Sequence, residues 1–340
     1  MSQAPVIDAE VFIECQNDLG EGILWDSKTQ LLHWVDIPKC ELHTLDPKTK
    51  KYSVDSYPAT KHLTAVALRQ SQPGLVASIT DKIVLLPAPT TPTEVTTSPK
   101  PVQREWEQVL ASNISAVLDE GKGRLNDGGC DTQGRFLVGS MGLPESGPKV
   151  GEFFSYDLDS KVTRLWDRVG TSNGLGWTAD GKTMYYIDSL IDAIHILDYD
   201  PTTGEASSRR EFAPPSPPPM PLSPSIPTQG VYDGMCLDGQ GNVWAARWSD
   251  QRIIGFRPDG SIICHIRVPG CYSPTIPCFG GENLETMYIA TAHSKMSGKD
   301  LHDKFPKSGD LFKVDFGSGS EVRQLLGDGW TGAERHRFAG

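Results

Sequence analysis

The sequence predicts an all-β fold, a six-bladed β-propeller, and three observations carry that expectation. The first is a repeat. Six short apolar runs share a β-forming character: L-L-H-W-V-D from Leu31, L-V-A-S-I from Leu75, F-L-V-G-S from Phe136, M-Y-Y-I-D from Met184, V-W-A-A-R from Val243 and M-Y-I-A-T from Met287. The second is their setting. Most follow a similar turn signal: D-S-K-T-Q, D-T-Q-G-R, A-D-G-K-T, D-G-Q-G-N or G-E-N-L-E-T. Each is followed by a second strand-like segment: E-L-H-T-L-D-P, K-I-V-L-L-P, E-F-F-S-Y-D, A-I-H-I-L-D-Y-D-P, R-I-I-G-F-R-P-D and D-L-F-K-V-D. The third is the spacing. The units recur at about 50 residues, long enough for a four-stranded blade. Closing the sheets into a ring removes the exposed edges that a sheet of this size otherwise presents. One propeller domain over residues 1–340 is therefore expected. A β-sandwich is the alternative, disfavoured by six matched pairs of segments.

Composition narrows the function classes. At 38% hydrophobic residues the chain can build a sizeable core, and 34 glycines with 26 prolines argue for many turns and against a helical bundle. A net charge of −11 without any Lys/Arg cluster excludes a phosphate-binding face, so neither nucleic acid nor an anionic membrane surface is an expected partner. The first ten residues, M-S-Q-A-P-V-I-D-A-E, have neither the basic nor the apolar region of a signal peptide, and no stretch reaches transmembrane length. Seven cysteines, an odd number without a C-x-x-C pair, read as free thiols in a reducing compartment, which makes a cytoplasmic location the expectation. The proline-rich run at 213–227 lies between the fourth and fifth units. It reads as a semi-rigid loop bordering the channel mouth, with an SH3-type ligand as the other reading.

The candidate site comes from the register of the repeat. About ten residues before each apolar run stand Glu21, Ala65, Asn126, Asn173, Asp233 and Pro277. In a propeller that position lies on the innermost strand, so the four polar residues should converge on the channel axis. Two carboxylates crowded there repel unless a cation neutralises them. Oxygen ligands from Asp, Glu and Asn suit hard ions such as Ca²⁺, Mg²⁺ or Mn²⁺, and the lack of Cys and His in the set disfavours a structural zinc site. Singly, Asn126-Asp127-Gly128, Asn173-Gly174 and Asp233-Gly234 are ordinary turn sequences. Their common register is what favours a metal site. In R-L-N-D-G-G, Arg124 and Asn126 are two apart and point to one side of a strand, where Arg124 offers its fork to a polar ligand. By the same alternation Asp127 points away and braces the loop.

These stretches resemble the gluconolactonase/regucalcin family of senescence-marker-protein-like lactonases along nearly the whole chain. The resemblance rests on G-E-G-I-L-W-D at 20–26, S-V-D-S-Y-P to A-V-A-L-R-Q at 53–70, R-L-N-D-G-G-C-D-T-Q-G-R-F-L-V-G-S-M at 124–141, S-N-G-L-G-W-T-A-D-G-K-T-M-Y-Y-I-D-S at 172–189, D-G-M-C-L-D-G-Q-G-N-V-W-A-A at 233–246 and C-F-G-G at 278–281. It implies a six-bladed propeller holding one catalytic divalent cation in the central channel, calcium foremost, with Zn²⁺, Mg²⁺, Mn²⁺ or Fe²⁺ also admissible. It implies metal ligands at Glu21, Asn173 and Asp233, with Asp233 also the general base, and substrate contacts from Arg124 and Asn126. A substrate-touching glutamate follows the family's G-T-M motif; here G-S-M-G-L-P-E makes Glu145 the counterpart, one residue out of step. The implied activity is hydrolysis of a sugar lactone or similar small lactone. An organophosphate esterase on the same scaffold and a non-catalytic calcium-binding protein are the alternatives.

Overall fold

The computed structural model describes residues 4–143, 146, 150–213, 230–298 and 300–340. The predicted proline-rich loop, apart from Ala213, lies outside these residues, as does Glu145. The rest is built on six sheets, the blades of a six-bladed propeller, antiparallel except for one short parallel strand added at the outer edge of each of blades one and five. Their innermost strands are Gly20–Asp26, Leu63–Leu68, Gly123–Cys130, Ser172–Trp177, Val231–Leu237 and Ser273–Gly280. Each packs against the inner strands of both neighbouring blades, and the sixth packs against the first, so the ring closes.

The apolar runs that carry the repeat are the second strands: Leu31–Asp36, Leu75–Ile79, Phe136–Gly142, Thr183–Asp188, Val243–Trp248 and Thr286–Ala292. The segments after them are the third strands, from Glu41–Leu45 in blade one to Leu311–Asp315 in blade six. Both are buried on two faces because blades stack on either side, which is why they read as continuous apolar runs. Between blades five and six, for example, Trp244, Phe279, Phe316 and Trp330 meet edge to face or tilted at 5.0 to 6.1 Å between ring centres.

The chain ends close the ring in ways that the repeat spacing does not announce. Glu10–Ile13 is the outer strand of blade six, antiparallel to Leu311–Asp315. Val6–Asp8 adds parallel to Ile262–Arg267 at the outer edge of blade five. The N-terminal segment thus ties the last two blades together. At the other end of the chain, residues 330–339 run across one face of the ring. The Trp330 indole donates to Asp238 Oδ2 (2.7 Å), the Gly239 amide to Thr331 O (2.8 Å), Arg337 to Asp26 Oδ1 (2.6 Å), the Phe338 amide to Leu68 O (2.8 Å) and the Ala339 amide to Gly134 O (3.1 Å).

Every inner strand carries a register break near its start: between Glu21 and Leu24, Leu63 and Ala65, Leu125 and Gly128, Asn173 and Leu175, Tyr232 and Met235, and Pro274 and Ile276. Such bulges bend and twist a strand, as the crowding of six strands around one axis requires. The Asn-Gly and Asp-Gly pairs sit in these bulges, inside strands, not in turns. Their glycines answer to close approach: a Cβ on Gly174 would lie 2.7 Å from Asp233 O, and one on Gly234 would lie 2.5 Å from Ile276 Cβ. The loops entering these strands are braced by carboxylates at the ends of second strands. Asp36 accepts from the Asp18 and Leu19 amides just ahead of Glu21, and Asp188 from the Gly170 and Thr171 amides just ahead of Asn173.

Candidate metal centre

Glu21, Asn126, Asn173 and Asp233 are all buried, each at the bulge of its inner strand, in blades one, three, four and five. Ala65 and Pro277 stand in the inner strands of blades two and six and bring no ligating side chain. The nearby hydroxyls of those two blades are engaged structurally: Thr64 bonds Ser78, and Thr275 donates to Gly20 O (2.5 Å).

A chain of hydrogen bonds orients the amides. The Ser189 hydroxyl donates to Tyr232 O (2.6 Å) and accepts from Asn173 Nδ2 (2.8 Å). With its NH₂ so used, Asn173 leaves Oδ1 as an acceptor, which takes a bond from Asn126 Nδ2 (3.2 Å); that nitrogen also donates to Ser172 O (2.8 Å). Asn126 Oδ1 accepts from Arg124 Nη1 (2.7 Å), so Arg124 and Asn126 do share one side of the strand.

The electrostatics tie the remaining groups together. Burial pushes the Glu21 carboxyl well above its ordinary range, the charges of Asp233 and Asp127 push it further, and Arg124 pulls it back. Burial likewise raises Asp233, with Asp127 adding and Arg124 opposing. Burial brings Arg124 down to about 10 against the pull of Glu21 and Asp233. Glu21, Asp233 and Arg124 are thus linked by charge, as expected around one axis.

Asp127 departs from the strand-alternation expectation. The bulge from Leu125 to Gly128 cancels the two-residue alternation. Asp127 is buried, its Oδ1 accepts only from its neighbour Gly128 (2.8 Å), and its Oδ2 has no hydrogen-bond partner among the described residues. Its charge acts on both Glu21 and Asp233, so it belongs to the channel and braces no loop. The signal for it was present in N-D-G-G, where two glycines after two polar residues permit a bulge.

The donor set fits a hard divalent cation. Two carboxylates that act on Arg124 and one amide oxygen stand at the inner-strand bulges without Cys or His, and the buried negative charge of Glu21, Asp127 and Asp233 exceeds what Arg124 balances. Away from the channel, the ligand atoms of Asp36, Glu41 and His43 lie within 4.8 Å of one another in blade one. There a cation is already supplied, because Lys39 Nζ sits 2.8 Å from Asp36 Oδ2, whose carboxylate also caps two amides.

Residues 19–293 match the model of the SMP-30/gluconolactonase/LRE-like region. Regucalcin of Xenopus laevis is 34% identical over 303 residues, covering 87% of this chain and 90% of that protein. The Bacillus subtilis (strain 168) protein carrying the name sugar lactone lactonase YvrE is 29% identical over 314 residues, 92% and 96% of the two chains. Among solved structures, the calcium-binding protein regucalcin from Agrobacterium tumefaciens superposes with a TM-score of 0.78 over 99% of both chains at 23% identity, a likeness of fold. With a family model spanning most of the chain and a relative of this identity and coverage, the protein belongs to the SMP-30/gluconolactonase/LRE-like family.

Proposed function

We propose that this protein is a cation-dependent lactonase that opens a sugar lactone or a similar small lactone to its hydroxy acid. One observation supports the reading: the charges of Glu21 and Asp233 act on Arg124, which hydrogen-bonds Asn126, which in turn hydrogen-bonds Asn173. The names of the family and of the YvrE relative point to the same class of substrate.

Glu21, Asn173 Oδ1 and Asp233 are the residues that would hold the cation, calcium being the best match to an all-oxygen set. When bound, the cation supplies Lewis-acid stabilisation for the charge that develops on the lactone carbonyl oxygen. Asp233 takes a proton from the attacking water as its oxygen bonds to the carbonyl carbon. The ring C–O bond then breaks, and the departing alkoxide takes the proton that Asp233 removed from the water, giving the free hydroxyl and restoring the carboxylate. Arg124 and Asn126 orient the substrate through its hydroxyl and carbonyl oxygens, with Glu145 the third expected contact. Arg124 alternates between Asn126 and the substrate, since its Nη1 donates to Asn126 Oδ1 and Leu125 O without one.

Lactone opening followed with a pH indicator tests this, on metal-stripped protein and again with Ca²⁺, Mg²⁺, Mn²⁺ or Zn²⁺ added. Loss of turnover on stripping and its return with a cation is the expected result. Full activity in the stripped protein, or turnover of a phosphotriester but of no lactone, overturns the reading. Arg124→Ala should raise KM more than it lowers kcat; an unchanged KM removes Arg124 from the substrate contacts.

A further inference from the structure

On the side of the candidate metal centre facing the C-terminal segment, the channel holds a cavity of about 140 Å³. Asp127 lines it, and so does Arg335, carried in by the C-terminal segment. Asp238, Glu334 and His336 also line it, and most of the remaining wall is glycine, aliphatic and aromatic, with the thiols of Cys130, Cys236 and Cys278, all kept protonated by burial. Four buried polar atoms of this lining lack a hydrogen-bond partner among the described residues: Asp127 Oδ2, Arg335 Nε and the indole nitrogens of Trp25 and Trp177. Buried groups of this kind are normally satisfied, and of the four only Asp127 and Arg335 carry charge.

The bonds that Arg335 does make show what it replaces. Its Nη2 donates to Met235 O (2.7 Å) and Pro277 O (3.4 Å), backbone carbonyls of the inner strands of blades five and six. The guanidinium therefore sits against two carbonyl oxygens and shares the cavity with the Asp127 carboxylate; the other two carboxylates of the lining are already engaged, Asp238 by Asn242 and the Trp330 indole and Glu334 by Arg337. Two carbonyls and the Asp127 carboxylate are an oxygen set of the kind a hard cation takes. The positive charges of the channel are also divided: Arg124 acts on Glu21 and Asp233, whereas the cation acting on Asp127 is Arg335.

We infer that Arg335 is the fixed counter-cation of Asp127, occupying the place of a second metal ion and so limiting the channel to one divalent cation. This rests on the reading of Glu21, Asn173 and Asp233 as the cation site. Arg335 touches no substrate in this scheme; it positions charge. Fixing the second positive charge covalently makes the lower channel independent of cation supply, while the upper site stays open to exchange.

Calcium titration calorimetry on the metal-stripped full-length chain tests the inference. Wild type and Arg335→Lys should each bind one equivalent of Ca²⁺. Arg335→Met frees the Met235 and Pro277 carbonyls and leaves Asp127 uncompensated, so it should bind two. Asp127→Asn combined with Arg335→Met should return to one, since replacing both members of a buried charge pair is far milder than removing one. One equivalent in a natively folded Arg335→Met overturns the inference while leaving the upper cation site standing. No binding by wild type sinks the upper site itself. Should Arg335→Met fail to fold, the inference requires that excess calcium restore it and that the double variant fold without help. A double variant that also fails to fold shows that Arg335 matters only for tying down Met235 and Pro277, and overturns the proposal.

Discussion

The two ends of the channel are built on the same six strands and solve opposite problems. At one end Glu21, Asn126, Asn173, Asp233 and Arg124 stand with more buried negative charge than their own residues balance. At the other, the C-terminal segment covers the ring and the carboxylates there are tied into the fold. Asp238 accepts from both the Trp244 and Trp330 indoles and from Asn242, and Asp26 from Arg337 and Thr29. The first end holds charge in reserve for a ligand; the second uses most of its charges to hold the fold. A site needing a cation keeps unbalanced carboxylates at a cost in stability, and the closed end offsets that cost.

The largest expected effect lies at the closed end. Trp330 is almost fully buried, packs on Phe279 and Phe316 and donates to Asp238. Trp330→Ala should destabilise by about 3–5 kcal/mol, read from urea unfolding of the metal-stripped protein, with calcium stoichiometry unchanged in the folded state. A loss below 1 kcal/mol would dissolve the contrast between the two ends.

Asp233→Ala should act the other way round. Turnover of a lactone should fall by on the order of 10²–10³, whereas the stripped protein should melt no lower than wild type, because a buried, poorly balanced carboxylate is removed. Wild-type turnover would remove Asp233 from the chemistry, and a large drop in melting temperature would make it a structural residue.

Gly174→Ala probes the junction between the ends. The new methyl would lie 2.7 Å from Asp233 O and 2.8 Å from Ile187 Cδ1. Overpacking of this kind costs about 1–3 kcal/mol, and the displaced strand should weaken calcium binding at the same time. Weakened stability with unchanged calcium affinity would separate the bulge from the site.

The smallest effect is in pH. The folded-state carboxyls of Glu21 and Asp233 are raised, first by burial, then for Glu21 by the charges of Asp233 and Asp127 and for Asp233 by the charge of Asp127. An acid raised on folding contributes stability that is present below its unfolded value and is lost as pH rises through the folded value. The stripped protein should therefore lose stability as pH climbs out of the ordinary carboxylate range, and Ca²⁺ should restore it at neutral pH. Asp26 has the opposite sign. Its burial is outweighed by Arg337, Thr29 and the Lys28 amide, so its contribution is lost on acidification. Melting curves of the stripped protein across pH, with and without calcium, check both; a calcium effect equal at acid and neutral pH would contradict the first.

Much of this was legible in the chain. The second and third strands of all six blades announce themselves as buried apolar runs because each is covered on both faces. The common offset of Glu21, Asn126, Asn173 and Asp233 follows from that repeat, since equal spacing along equal blades puts residues at equal depth. Asp127 was misjudged because strand alternation holds only for a regular strand, and the bulge at Leu125–Gly128 is irregular. Its glycines could equally have marked a turn.

By itself, then, the sequence determined the repeat, its period and the one position at which four blades carry polar side chains, because these are properties of short local stretches and their spacing. Only the tertiary structure decided what joins the ends to the middle. Glu10–Ile13 completes blade six from about 300 residues away. Arg335 enters the channel from a C-terminal segment that has no repeat of its own. Long-range pairings of this kind are chosen by the edge left unpaired and the charge left unbalanced once the ring has closed, and no local pattern encodes either.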